Sequence, residues 1–320
     1  MKAIRVEQFG SPEVMQYADI PEKDVVSHHV IVEMKAVGVN PVDTYIRSGN
    51  YSYAADMPFT PGFDGAGIIK KTSKEVLNLH VGEKVYVTGK SSGTYAQEVM
   101  IDASQVYPLP DNLNFDQGAA IGIPYATAYR ALFHKAKAVA DEIVFIHGAS
   151  GGVGLAALQL AKMAQLKVIA SAGSKAGMTL VQQLGADYVI DHRKKDVVEE
   201  VMKATSGNGV DIILEMLANV NLVDDLKVVA KGGRIIVIGN RGSVKINPRD
   251  LMLRDSLVSG MLIFNTPVDD MKRIHKSLYE AFKTECVFPI IWQKFILEDA
   301  ASAHKKIEHS RALGKVVLIP

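Results

Sequence analysis

The sequence predicts an α/β protein of two domains, one β-rich and one a doubly wound parallel sheet, and three observations predict it. From about residue 141 onward, apolar runs alternate with helical segments, the pattern of βαβ crossovers. Within that stretch the string "HGASGGVG" at 147–154 joins a predicted strand to a predicted helix. Before it, roughly the first 118 residues hold short β-like runs cut by Pro and Gly clusters, with little helical period.

In chain order, "HVIVEMKAVGV" and "EKVYVTG" are the clearest strands of the β-rich part. In the second part "EIVFIHG", "KVIASAG", "DYVI", "VDIILEML" and "RIIVIGN" read as strands. The segments "GLAALQLAKMAQL", "GMTLVQQLG", "VVEEVMKATS" and "LVDDLKVVAKGG" read as the helices between them. Near-continuous apolar strands of this kind belong to a sheet covered on both faces. Then come "SLVSGMLIF", a helical "VDDMKRIHKSLYEAFKTE" and the β-like tail "GKVVLIP". The tail has the texture of the first part and is expected to return to it. The domains are therefore placed at 1–120 with 266–320, and at 121–265.

Composition removes several function classes. The chain has 320 residues, 48% hydrophobic and 22% charged, enough to bury two cores. Its 36 basic and 35 acidic residues leave a net charge of +1, so no global field points to nucleic acid or a membrane. Cys286 is the single cysteine, which excludes an internal disulfide and a cysteine-rich zinc site, and fits a reducing compartment. The opening "MKAIRVEQFG" lacks the apolar core of a signal peptide, and no run of about 18 apolar residues occurs. A soluble, cytoplasmic protein is expected.

The loop at 147–154 carries the first functional signal. Gly151 and Gly154 stand where a dinucleotide fingerprint needs them, after a strand and at the head of a helix. Gly151 and Gly152 leave room for a pyrophosphate beside free N–H groups and the positive end of the helix dipole. Ala149 takes the first glycine position and is compatible with a tight turn if its φ stays negative. An NAD site of this kind closes the second strand with a carboxylate about 20 residues past the loop. Here that strand ends in Ser171, Ala172, Gly173, Ser174 and Lys175. Without a carboxylate a 2′-phosphate is not repelled, and Ser174, Lys175, His192 and Arg193 offer donors to it. NADPH is favoured over NADH.

The strings "GASGGVG", "GVNPVDTYIRSGNY", "PGFDGAG" and "GIPYATAYRAL" resemble the medium-chain dehydrogenase/reductase superfamily. Together with "GAAIGIP", "HGASGGVGLAA", "IILEMLANVNL" and "INPRD", they are similar to its zinc-free quinone oxidoreductases, the zeta-crystallin-like family, over nearly the whole chain. The resemblance implies a GroES-like catalytic domain and a Rossmann domain for NADPH. Zinc-dependent members of the superfamily place their catalytic ligands where this chain has Asn40, Phe63 and Ile123. An amide, a phenyl ring and an aliphatic chain cannot form the N/S shell of zinc, so no metal is expected. Asp64 keeps the acidic character of its position.

Without a Lewis acid the substrate must accept reducing equivalents unaided, which suits quinones and α,β-unsaturated carbonyls such as enones. The resemblance favours ortho-quinones and implies one-electron transfer, which the residues themselves do not decide. By similarity, Tyr45 contacts the cofactor, and Ser150, Gly151, Gly152 and Val153 bind its pyrophosphate. Gly173, Lys175 and His192 are expected on the adenosine side, where Lys175 departs from the family's acidic residue. Asn221, Ile238, Gly239, Asn240, Arg241, Met261, Leu262 and Ile263 are expected to hold the nicotinamide half. Asn40, Tyr45, Tyr51 and Thr127 are expected to line the nicotinamide and substrate pocket, where an amide or phenol can bond an oxygen gaining charge.

No general acid is assigned. Arg47 reads as a catalytic cation, an exposed salt bridge or a loop-fixing residue, and His147 as a packed core histidine. By the same resemblance "SLVSGMLIF" is an edge strand through which nucleotide domains pair, implying a homodimer or homotetramer. Crystallin-like structural and RNA-binding roles come with the family as well, and the near-neutral charge gives RNA binding no support.

Overall fold

A computed structural model describes residues 1–51, 56–89, 93–193 and 196–320. The chain divides into two compact units, Met1–Ile123 with His275–Pro320, and Pro124–Ile274.

The first unit opens with β1 (Lys2–Val6), β2 (Met15–Asp19), β3 (His29–Val39), β4 (Asp64–Thr72), β5 (Lys84–Val87), β6 (Glu98–Asp102) and β7 (Val106–Pro108). β1 and β2 form an antiparallel pair of their own. β3 is the axis of the large sheet, antiparallel to β4 along one edge. Its other edge is taken by β6 at His29 to Glu33. Val30, Ile31, Val32, Val37 and Val39 of β3 are all buried, as a run of β-branched residues in mid-sheet should be. The helix Pro41–Ser48 leaves β3 at once, with Asn40 as its N-cap and Gly49 in the left-handed region (φ +77°) ending it.

The second unit contains β8 (Ile143–Ile146), β9 (Lys167–Ala172), β10 (Tyr188–Asp191), β11 (Val210–Glu215), β12 (Val229–Val237) and β13 (Leu257–Gly260). They form one sheet in the order β10-β9-β8-β11-β12-β13, and every pair in it is parallel. The order reverses between β8 and β11, which is the switch point where a doubly wound sheet leaves its ligand crevice. Helices Gly152–Met163, Lys175–Gln183, Val197–Ala204 and Ala218–Val228 make the crossovers. Phe145, Ile169, Ile190, Val201, Ile213, Leu226 and Ile235 pack into one of the buried cores.

Two elements differ from the sequence reading. The helix expected through "LVDDLKVVAKGG" stops at Val228, and Val229 is already extended and paired with Val210. A β-branched residue before Gly232 and Gly233 prefers the strand, and Gly232 takes φ +74°. Of "SLVSGMLIF", only Leu257–Gly260 is strand; a short turn, Ile263–Asn265, follows.

The chain then returns to the first unit through β14 (Ile291–Ile296) and β15 (Lys315–Ile319). β15 pairs antiparallel with the end of β3, and β14 runs parallel to β15. Among the described residues no helix is long and apolar enough to cross a membrane.

Candidate active site

In the second unit the expected cofactor residues fall after the carboxyl ends of the strands. Ser150, Gly151, Gly152 and Val153 follow β8; Gly173 and Lys175 follow β9; His192 follows β10; Asn221 follows β11. Ile238, Gly239, Asn240 and Arg241 follow β12, and Met261, Leu262 and Ile263 follow β13. Six separate stretches of sequence thus meet one edge of one sheet, the edge where ligands of doubly wound folds bind.

The phosphate loop has the geometry its sequence requires. Gly148 carries the positive φ, +55°, so Ala149 does not need to, and its N–H donates to Ser171 O at 2.8 Å. A Cβ on Gly154 would lie 2.5 Å from Gly148 O and 2.6 Å from Ala149 Cα, so the helix packs directly on the loop. A Cβ on Gly152 would meet nothing nearer than Pro124 Cγ at 3.5 Å. Gly151 is the helix N-cap and supplies no capping side chain. This is an open cradle at a helix N-terminus, and it fits a pyrophosphate.

Of the residues expected to meet adenosine, the structure brings Gly173 and His192 together: a Cβ on Gly173 would sit 2.4 Å from His192 Nε2. Ser174 caps the next helix, accepting from Gly177 N–H at 3.1 Å, and Lys175 is exposed in its first turn. Arg193 is committed to Asp191 through a two-pronged pair at 2.9 and 2.7 Å, which holds the Asp191 carboxyl well below its usual range.

The loops after β11 and β12 are tied to each other. Ala218 N–H donates to Gly239 O at 3.0 Å, and Arg241 N–H to Asn219 Oδ1 at 3.0 Å. Met261 N–H reaches back to Val237 O at 2.9 Å, and Arg130 donates to Leu262 O at 2.7 Å. Asn221 donates from Nδ2 to Glu215 Oε1 at 3.1 Å. Thr127 is buried in the helix Gly122–Tyr129.

Behind this edge lies a cluster the sequence reading missed. His147 is buried, as expected, but its Nε2 is hydrogen-bonded to Asp225 Oδ1 at 2.7 Å, and Glu215 Oε2 lies 3.3 Å away. Glu215 Oε2 and Asp225 Oδ2 have no further hydrogen-bond donor beside them. These groups lie within 4.8 Å of one another. Burial pushes both carboxyls up and the imidazole down. The arrangement is a proton-sharing one, since two adjacent buried carboxylates cannot both ionise. An acid inside the apolar strand "VDIILEML" was the available signal.

In the first unit the residues at the superfamily's metal positions gather around Asp64, which is fully buried. Thr88 Oγ1 donates to its Oδ1 at 2.8 Å and Ile123 N–H at 2.9 Å. Asn40 Nδ2 donates to Oδ2 at 2.9 Å, and Lys315 Nζ donates to the same oxygen at 3.0 Å. Lys315 Nζ also donates to Asn40 Oδ1. Phe63 is buried next to Asp64 in sequence. The cation beside Asp64 is thus an ammonium from the head of β15. The amide, phenyl and aliphatic positions offer zinc no thiolate or imidazole, so these residues do not fit the metal.

Asn40 N–H donates to Asp43 Oδ2 at 2.7 Å, and Tyr95 OH donates to the same oxygen at 3.2 Å. Burial pushes the Asp43 carboxyl up to about 7. Tyr45 is half-buried on the helix Pro41–Ser48; Tyr51, also half-buried, has its phenol pushed up first by burial and then by Tyr45. Arg47 is not the exposed pair its sequence allowed. It is 3% exposed and donates to Glu308 Oε1 at 2.8 Å, because its helix packs against the helix Ala300–His309.

Residues 26–111 match the alcohol dehydrogenase GroES-like domain, and residues 152–279 the zinc-binding dehydrogenase domain. The chain is 44% identical to the quinone oxidoreductase of Lama guanicoe, covering all of this chain and 97% of that one. It belongs to the quinone oxidoreductase family of the medium-chain dehydrogenases/reductases. The human quinone oxidoreductase is 43% identical over all of this chain and 98% of its own. Among solved structures, Escherichia coli quinone oxidoreductase complexed with NADPH superposes with a TM-score of 0.92 at 29% identity, each chain covered in full.

Proposed function

We propose that this family member is a zinc-independent reductase that passes reducing equivalents from NADPH to quinones. The observation that carries this assignment is the set of groups around Asp64. Where zinc-dependent relatives polarise an alcohol or carbonyl with a metal, this chain has Asn40, Phe63, Ile123 and a lysine ammonium. A substrate reduced here has to be electron-poor by itself, and quinones, driven by aromatisation, are the best fit. Full-length relatives at 43–44% identity carry the quinone oxidoreductase name.

When bound, the dinucleotide supplies the reducing equivalents. Ser150, Gly151, Gly152 and Val153 receive its pyrophosphate on the uncapped helix N-terminus. Gly173, Lys175 and His192 take the adenosine side. No carboxylate closes β9, and Asp191 is held by Arg193, so Ser174, Lys175 and His192 can meet a 2′-phosphate. Asn221, steadied by Glu215, belongs to the nicotinamide half with Ile238, Gly239, Asn240, Arg241, Met261, Leu262 and Ile263. Asn40, Tyr45, Tyr51 and Thr127 are assigned to the nicotinamide and substrate.

Purified protein is expected to consume NADPH with 9,10-phenanthrenequinone and to ignore chelators. Inhibition by chelator with restoration by zinc overturns zinc independence. Turnover of alkenals or enones with negligible quinone activity replaces the quinone as substrate.

A further inference from the structure

We propose that Lys315 is a positioning residue for the reaction, fixing the Asn40 amide so that one N–H stays available to the substrate oxygen. This rests on the assignment of Asn40 to the substrate.

The side-chain chemistry leaves little freedom. An ammonium can only donate and an ionised carboxylate can only accept. Lys315 Nζ lies on one end of the Asn40 amide and Asp64 Oδ2 on the other, so the end facing the ammonium is Oδ1 and the end facing the carboxylate is Nδ2. Flipping the amide would set donor against donor and acceptor against acceptor. Of the two Nδ2 hydrogens one is given to Asp64, and the second is the only hydrogen-bonding capacity this edge of the amide retains.

Asp64 itself is saturated. A carboxylate has about four lone-pair sites, and Thr88 Oγ1, Ile123 N–H, Asn40 Nδ2 and Lys315 Nζ fill them. Its surroundings are closed as well: a Cβ on Gly122 would lie 2.1 Å from Asp64 Oδ1. Lys315 has 5% of its side chain exposed and Asp64 none. Without the lysine, the charge beside the Asn40 side-chain amide would be the Asp64 carboxylate alone, which opposes negative charge growing on a substrate oxygen. With it, the local pair is neutral, and the Asn40 carbonyl is drawn toward a cation, which strengthens the remaining N–H as a donor. The lysine thereby supplies part of what a metal cation would supply, acting through the amide.

The test separates this role from simple packing. K315M leaves Asp64 buried without its cation and is expected to lose stability, so the decisive variant is K315M/D64N, in which both charges are gone. It is expected to keep its thermal midpoint and NADPH affinity, and to lose about 100-fold in kcat for 9,10-phenanthrenequinone with little change in KM, the scale of one lost transition-state donor. D64N alone keeps the ammonium on Asn40 and is expected to lose less than the double variant. In NMR spectra the Asn40 side-chain amide protons should exchange slowly in the wild type and faster in K315M/D64N. An active double variant with wild-type kcat, a D64N loss as large as that of the double, or unchanged amide exchange each overturn the role of Lys315 alone. A wild type that reduces neither quinones nor enones overturns the substrate assignment as well.

Discussion

The phosphate loop makes a paired prediction, because two of its glycines are glycine for different reasons. A methyl group on Gly154 would meet three backbone atoms at 2.5, 2.6 and 2.8 Å, none of which can rotate away. Overpacking of this severity costs about 3 kcal/mol, and Ala returns about 1 kcal/mol of helix propensity. The net loss, about 2 kcal/mol, lowers the melting temperature of a unit of this size by about 4–8 °C. Gly152 is the opposite case. Its Cβ would be in ordinary contact with Pro124 alone, and Gly152 is not among the glycines of positive φ. Gly152→Ala should therefore melt at or slightly above the wild-type temperature.

Only when the dinucleotide enters does the Gly152 methyl matter, since it occupies the face on which the pyrophosphate is proposed to rest. A mismatch of about 1–3 kcal/mol there is a loss of about 5- to 150-fold in NADPH affinity. Calorimetry of both variants, with NADPH fluorescence titrations beside it, reads the two effects separately. Wild-type melting of Gly154→Ala would refute the close packing of helix on loop. Wild-type NADPH affinity of a stable Gly152→Ala would refute the pyrophosphate site.

Burial pushes the Asp225 carboxyl up to about 7, from an unfolded value near 4. The folded state therefore holds a proton the unfolded state has lost, a stabilisation complete below about pH 4 and gone by about pH 7. Asp225→Asn does not titrate, so its melting deficit against the wild type should shrink between pH 5 and pH 8; a constant gap would count against the shared proton. Lys175→Ala should weaken NADPH about tenfold and NADH little, and equal losses would place Lys175 away from the 2′-phosphate. β13 is the last strand of its sheet, with Leu257 exposed and Met252 and Leu253 exposed just before it. Pairing of two copies along this edge predicts a dimer or tetramer, and a monomer by light scattering at micromolar concentration would refute it.

Much of the fold was legible because its signals are local. Each strand of the second unit is a short apolar run, each crossover helix a periodic one, and the turn at Gly148 needs only its neighbours to be recognised. The strand ends mark the cofactor edge for the same reason: once the strands alternate with helices, their carboxyl ends must lie together. The end of the helix at Val228 was not legible, because Val229 becomes a strand residue through pairing with Val210, which the local pattern does not contain.

The candidate site shows the same division more sharply. That Asn40, Phe63 and Ile123 cannot bind zinc follows from residue type alone. Which cation lies beside Asp64 does not, for Lys315 is 275 residues from Asn40 and 251 from Asp64. Likewise His147 meets Asp225 across 78 residues. Yet both clusters left a trace. Glu215 sits in a strand whose other residues are apolar or paired, and Lys315 opens a strand buried along nearly its whole length. Desolvation forbids either charge to be buried alone, so each position implies a partner by residue type and strand context alone. Sequence could state that the partner exists and what charge or proton it must bring; only the fold could say that the partner of Lys315 is Asp64, with Asn40 between them in the same hydrogen-bonded group.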